Sequence, residues 1–216
     1  MASKEAIDKI VSNLHWLGHD CFRLDRPGGG PVYWDPYQIK GGPTASLILI
    51  SHDHFDHCSP EDVAKIQGPD TVIVTEANAA SKLSGKVKVV GPNHSLGVGD
   101  LKIMTVPAYN VDKAFHPRGN GWLGFMLIVD GVRIYHAGDT DYIQEMDMFT
   151  VDMALLPVSG TYVMTADEAV NAALAIGPQL AIPMHYGSIV GGDDDAKQFQ
   201  KGLEGMIPVK ILPRES

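Results

Sequence analysis

The stretch Ser51-His52-Asp53-His54-Phe55-Asp56-His57 constrains this chain more than any other feature. It packs three imidazoles and two carboxylates into residues 52–57, directly after the apolar run Leu47–Ile50. Imidazole and carboxylate are the donors that divalent transition metals take at neutral pH. So many polar side chains cannot be buried without partners. The apolar run reads as a strand buried on both faces. Ser59-Pro60-Glu61-Asp62 then reads as a helix start, with Ser as N-cap and acids in the first turn. A strand that empties through such a loop into a helix predicts a metal site at a sheet edge. In extended chain, residues two apart face the same way, so His52 and His54 can reach one ion. A turn after His54 sends Asp56 and His57 to a second point nearby. One segment could thus serve two adjacent metals, as in two-metal hydrolases.

The rest of the chain alternates strands and helices. A short helix is expected over 4–11 and strands over 14–17, 21–25 and 31–35, with Arg26–Pro31 as a turn. Strands 72–74 and 87–90 flank a helix over 76–84. Further strands are expected at 101–106, 124–129 and 132–136, the last two joined through the hairpin signal Asp130-Gly131. After a strand at 153–156, Thr165-Ala166-Asp167-Glu168 is a capping box. It opens a helix with Ala166, Ala169, Val170, Ala173 and Leu174 on one face, stopped by Gly177-Pro178. Strand 180–182, helix 193–204 and a last strand at 209–212 complete the pattern. Sheets with helices outside them and no evident linker predict one layered α/β or α+β domain over 1–216.

Two later loops offer partners for the cluster. His136-Ala137-Gly138-Asp139-Thr140 follows a strand, and the Asp139 carboxylate could bridge two cations. His185, in Pro183-Met184-His185-Tyr186-Gly187, follows another. The formal net charge of −9 disfavours a general nucleic-acid binder. Cys21 and Cys58 are too few for a disulfide framework and are expected as reduced thiols. No apolar run approaches a membrane span, and the N-terminus lacks a signal-peptide core, so the cytoplasm is the expected location.

The SHDHFDH stretch, the AGDT at 137–140 and the PMHY at 183–186, in that order, resemble the metallo-β-lactamase fold superfamily. The opening WLGHDCFRL, the WDPY at 34–37 and LLPVSGTYVMTADEA are similar to its branch of metal-dependent hydrolases that contains L-ascorbate-6-phosphate lactonase. The resemblance implies a four-layer αβ/βα sandwich of α/β (α+β) class with a dinuclear site at one edge of the two sheets. It implies two divalent metal ions, zinc foremost, with manganese, iron or nickel as alternatives. His52 and His54 would sit on the first, Asp56, His57 and His185 on the second, and Asp139 would bridge.

One position departs from the pattern. The superfamily usually takes a third histidine for the first metal from an intervening loop. Here Asn110, in Val106-Pro107-Ala108-Tyr109-Asn110, holds that place, and an amide is a poor transition-metal ligand. His116, six residues on, is the alternative imidazole. Asp35, before Pro36, is a candidate to orient a ligand histidine, or else a turn residue. His19 either lines the site or is a structural histidine. Arg118 and Lys113 are candidate anion holders. Tyr162, Thr161 and Tyr186 either shape the pocket or belong to the core. His15, His94 and His136 read as structural.

These features predict a metal-dependent hydrolase acting on a small anionic ester, a lactone or a phosphodiester, with Asp56 or a pocket acid handling the proton. The expected partner is a small molecule, with no nucleic acid and no membrane, and a homo-oligomer left open. The alternative is a metal-binding sensor or structural protein without catalysis.

Overall fold

The computed structural model of the protein describes residues 1–215. The first half of the chain forms α1 (Lys4–Val11), β1 (Leu14–Gly18), β2 (Cys21–Leu24), β3 (Val32–Trp34), β4 (Leu47–Leu49), α2 (Pro60–Ile66), β5 (Val72–Thr75), α3 (Ala77–Ala80) and β6 (Lys86–Val89). The second forms β7 (Ser95–Val98), β8 (Leu101–Pro107), β9 (Leu123–Val129), β10 (Val132–His136), β11 (Met153–Pro157), α4 (Ala166–Ile176), β12 (Leu180–Met184) and α5 (Asp193–Gly202). Each half builds one six-stranded sheet, in the orders β1-β2-β3-β4-β5-β6 and β12-β11-β10-β9-β8-β7. Each sheet begins with antiparallel strands and ends with parallel ones, α2, α3 and α4 each linking a parallel pair.

The alternation along β4 shows how the layers stack. Leu47 and Leu49 point into the core between the sheets, which they share with Phe125 and Leu127 of β9. Ile48 and Ile50 point outward to Val63 and Ile66 of α2 and to Ala79 of α3. A strand sandwiched between a sheet and a helix layer must be apolar on both faces, which explains the unbroken run. On the far side, Ala166, Ala169, Ala172, Ala173 and Ile176 of α4 are buried, and α4 packs on α5. The result is a four-layer αβ/βα sandwich. Cys21 and Cys58 are both buried free thiols, and burial pushes them up to about 12 and about 11. No helix among the described residues is long and apolar enough to cross a membrane.

Three expectations needed correction and one strand went unseen. The helix expected over 76–84 stops at Ala80, because Lys82 and Leu83 tighten onto the carbonyls of Ala79 and Ala80, and the Ser81 hydroxyl donates to that of Asn78 (2.6 Å). The last strand shrinks to single bridges at Val209 and Arg214, since Pro208 and Pro213 lack the N–H a ladder needs. Leu174 of α4 is exposed rather than core. Strand β7 escaped the sequence because it is a half-exposed edge of small and mixed residues.

Candidate metal centre

The site gathers where strand ends and turns of both sheets meet. The loop after β4 brings Ser51 to His57, and the Leu123 backbone N–H donates to the Ser51 carbonyl (3.0 Å), tying the sheets together. The loop after β10 approaches so closely that a Cβ on Gly138 would lie 2.8 Å from the Leu123 carbonyl and 3.0 Å from Ser51 Cβ. Its φ of +62° is a second reason for glycine there. His19, Asp35 and His185 also sit at positive φ (52°, 40° and 60°). Such strain costs on the order of 1 kcal/mol per residue and persists where surrounding contacts over-determine it.

Two donor groups form around Asp139. His52, His54, His116 and Asp139 each place one donor atom within 4.8 Å of all the others. So do His19, Asp56, His57 and His185. Asp139 faces both groups: Oδ2 lies 3.1 Å from His116 Nε2, while Oδ1 lies 3.2 Å from His57 Nε2 and 3.3 Å from His185 Nε2. His52 Nε2 faces His54 Nδ1 at 3.0 Å.

The far side of each ring explains its aim. His57 Nδ1 lies 2.8 Å from Asp35 Oδ2, and a carboxylate can only accept, so that nitrogen carries the proton. Asp35 also accepts from the Ser51 backbone N–H (2.7 Å) and hydroxyl (2.6 Å), leaving the hydroxyl to accept from His52 Nδ1 (2.9 Å). Ser159 Oγ holds His185 Nδ1 (2.8 Å), and the Asn110 and Tyr162 carbonyl oxygens hold His116 Nδ1 (3.1 Å each). In the neutral rings of His52, His57 and His116 these acceptors leave the free lone pair on the inward nitrogen, while Ser159 fixes the orientation of His185.

The inward-facing donor atoms lack partners of their own. His57 Nε2, His116 Nε2, His185 Nε2 and Asp139 Oδ1 are buried without a hydrogen-bond partner. Unpaired polar atoms at such density are costly, and imidazole with carboxylate is the donor chemistry of divalent transition metals, so the residues fit metal ions. Burial opposes charge on Asp139, yet His185 and His57 hold its carboxyl well below the usual range. Burial likewise opposes charge on His57 and His185, but Asp139 pulls both rings up. Burial drives His52 well down and His54 down.

The structure sorts the remaining candidates. His116, not Asn110, presents a ring nitrogen to Asp139. Asn110 stands behind it, accepting from the His116 backbone N–H (2.8 Å) and donating to Asp141 (3.1 Å) and the Tyr162 carbonyl (2.9 Å). His19 is buried in the second group, with Nε2 3.1 Å from Asp56 Oδ2. Arg118 and Lys113 are not brought to the centre as free cations: Arg118 pairs with Glu145 (2.8 Å) over the Tyr109 ring, and Lys113 pairs with Asp141 (2.8 Å). Tyr186 is core, stacked on Trp16, and Thr161 is exposed. His136 is structural, its Nε2 donating to the Asp20 carbonyl (2.9 Å).

Sequence reasoning missed Trp122, whose buried ring walls the first group at 4.8 Å from His52 and 4.7 Å from His54. It also missed Asp20, buried with both carboxylate oxygens unpartnered and within donor reach of His57, Asp139 and His185. Burial raises the Asp20 carboxyl well above its ordinary range. Its place beside His19 in the β1–β2 turn was the available signal.

Residues 13–185 match the model of the β-lactamase superfamily domain. The chain is 33% identical to UPF0173 metal-dependent hydrolases of Methanoregula boonei (93% of each chain covered) and of Pyrococcus furiosus (93% of this chain, 96% of the relative). Among solved structures, a protein from Parabacteroides distasonis described as a metal-dependent hydrolase superposes with a TM-score of 0.83 at 31% identity, covering 92% of this chain and 91% of that one.

Proposed function

The chain belongs to the β-lactamase superfamily and is a metal-dependent hydrolase, and from that premise we propose that it holds two divalent metal ions, zinc foremost, and hydrolyses a small carboxylic or phosphoric ester such as a lactone or phosphodiester. His52, His54 and His116 would hold one ion and Asp56, His57 and His185 the other. Asp139 would serve both. The observation that carries this reading is the Asp139 carboxylate, which offers one oxygen to each donor group. Bound divalent ions lower the pKa of water toward neutrality and polarise a carbonyl or phosphoryl oxygen.

The protein's own residues set up the rest. Asp35, Ser51 and Asn110 fix ring tautomers and, with Ser159, ring orientations. His54 and Asp56 are the half-buried members of the two groups and mark the side open to substrate. Burial alone would raise the Asp56 carboxyl, but the His19 hydrogen bond and the nearby His57 keep it low and ionised. As an ionised, half-buried carboxylate with His19 hydrogen-bonded beside it, it is placed to take a proton, although the lowered value makes it a weaker base. A purely structural site is usually closed by four ligands, whereas here two groups share a carboxylate and keep an open side.

The test is metal analysis of the purified protein coupled to a screen over lactones, phosphodiesters and thioesters. About two equivalents of metal per chain and chelator-sensitive turnover are expected. Turnover that survives removal of all metal would overturn the reading.

A further inference from the structure

Exposed aromatic rings stand beside donors of both groups. Phe55, between the half-buried His54 and Asp56, is 67% exposed, and Phe115, next to His116, is 51% exposed. Each leans edge-on against a half-buried tyrosine. Tyr37 meets Phe55 with centroids 5.8 Å apart and planes at 78°, and Tyr162 meets Phe115 at 4.8 Å and 86°. Both tyrosines are tied to the centre. The Tyr37 ring lies 6.2 Å from that of His19, and the Tyr162 carbonyl lies 3.1 Å from His116 Nδ1. One aromatic pair thus stands beside each donor group. Val111, on the loop that carries Phe115, adds a further exposed apolar side chain. Single exposed apolar residues are ordinary, but a cluster around one polar centre marks a binding surface.

Charge around the centre leads the same way. Lys82 is bound to Asp53 (2.9 Å), Lys113 to Asp141 (2.8 Å) and Arg118 to Glu145 (2.8 Å). These cations are spent on the protein's own carboxylates. An anionic substrate tail would find paired charges there, whereas a neutral alkyl or aryl tail finds rings that lose water contact on binding.

Resting on the hydrolase reading above, we infer that the rim selects an ester or lactone whose tail is a neutral alkyl or aryl group, which lies on the Phe55–Tyr37 and Phe115–Tyr162 pairs while its reactive group faces the metal centre.

Alkyl hydroxamates test this without turnover, because their head group binds metal and only their tail varies. Dissociation constants for acetohydroxamate and octanohydroxamate are measured by calorimetry on the metal-loaded protein. The longer tail should bind at least about tenfold tighter, on the order of what two buried methylenes supply. Phe55→Ala and Phe115→Ala should each shrink that ratio, and the double variant should bring it to within about twofold. Equal binding of the two hydroxamates by the unaltered protein, or a full ratio in the double variant, would overturn the inference. So would sedimentation showing a dimer that Phe55→Asp or Phe115→Asp dissociates, because the rings would then be covered by a second copy. A tail preference with no turnover of any ester would remove the hydrolytic reading alone; turnover blind to tail length would remove the rim's role alone.

Discussion

Replacing Asp35 with asparagine changes charge without changing volume, and asparagine tolerates the left-handed conformation at that position (φ 40°). Asp35 accepts from three donors: the Ser51 N–H on Oδ1, and the Ser51 hydroxyl and His57 Nδ1 on Oδ2. An amide has one accepting oxygen. Turned one way, its NH2 meets His57 Nδ1, which must then accept and shift its proton to Nε2, the nitrogen that faces Asp139. Turned the other way, the NH2 meets the Ser51 backbone N–H in a buried site. The first arrangement puts a proton on the nitrogen that would have to bind metal, and the second leaves buried donors facing each other, at about 1–3 kcal/mol. Metal affinity of the second donor group should fall about 10- to 100-fold, as is usual when the partner behind a ligand histidine is lost. Competition of the metal-free variant against a chromophoric chelator reads the affinity, and circular dichroism checks the fold. A folded Asp35→Asn protein with both affinities unchanged would refute the claim that Asp35 sets the His57 tautomer.

Other perturbations separate the parts of the site from the scaffold. His116→Ala should cost the first donor group most of its affinity, by about 100-fold or more, and leave about one tightly bound metal per chain by elemental analysis; two tightly bound metals in that variant would show that His116 is no ligand. Asp56→Asn should keep the fold yet lower kcat by about 100-fold or more on the best substrate found, because it weakens the second group and removes the proton acceptor; wild-type kcat would count against both roles. Asp152 accepts from the backbone N–H groups of Ala2 (2.6 Å) and Arg133 (2.8 Å) and from Gln179 (3.0 Å). Asp152→Ala should therefore cost about 2–3 kcal/mol in urea unfolding. Burial opposes its charge, but those bonds hold its carboxyl below the ordinary range. Its contribution should be complete above the unfolded value of about 3.9 and vanish as pH falls through the lower folded one, so a mutant deficit that persists below both values would contradict the assignment.

The sequence made the scaffold legible wherever local chemistry and burial agree. Ser59 caps α2, the Thr165–Glu168 box opens α4, and Asp130-Gly131 turns the β9–β10 hairpin, with both residues at positive φ. The histidine cluster was legible because its donors are contiguous, and Asp139 and His185 because each follows an apolar strand. What distant segments assemble was not legible. Trp122 reads as an ordinary aromatic until the loop before β9 folds under His52 and His54. Ser51 and Ser159 gain meaning only from the rings they hold. Spacing alone could not choose between Asn110 and His116, since the choice depends on the loop doubling back so that Asn110 bonds the backbone of His116 at both its N–H and its carbonyl. Arg118 and Lys113 showed charge in sequence, but the buried Asp141 that holds Lys113 and the Glu145 that holds Arg118 lie 28 and 27 residues away.

Anomalous scattering from a metal-replete crystal tests the central claim most directly. Two peaks are expected, one among His52, His54 and His116 and one among Asp56, His57 and His185, with the Asp139 carboxylate between them. A single peak at full metal loading, or peaks that leave Asp139 without contact to either ion, would contradict the account.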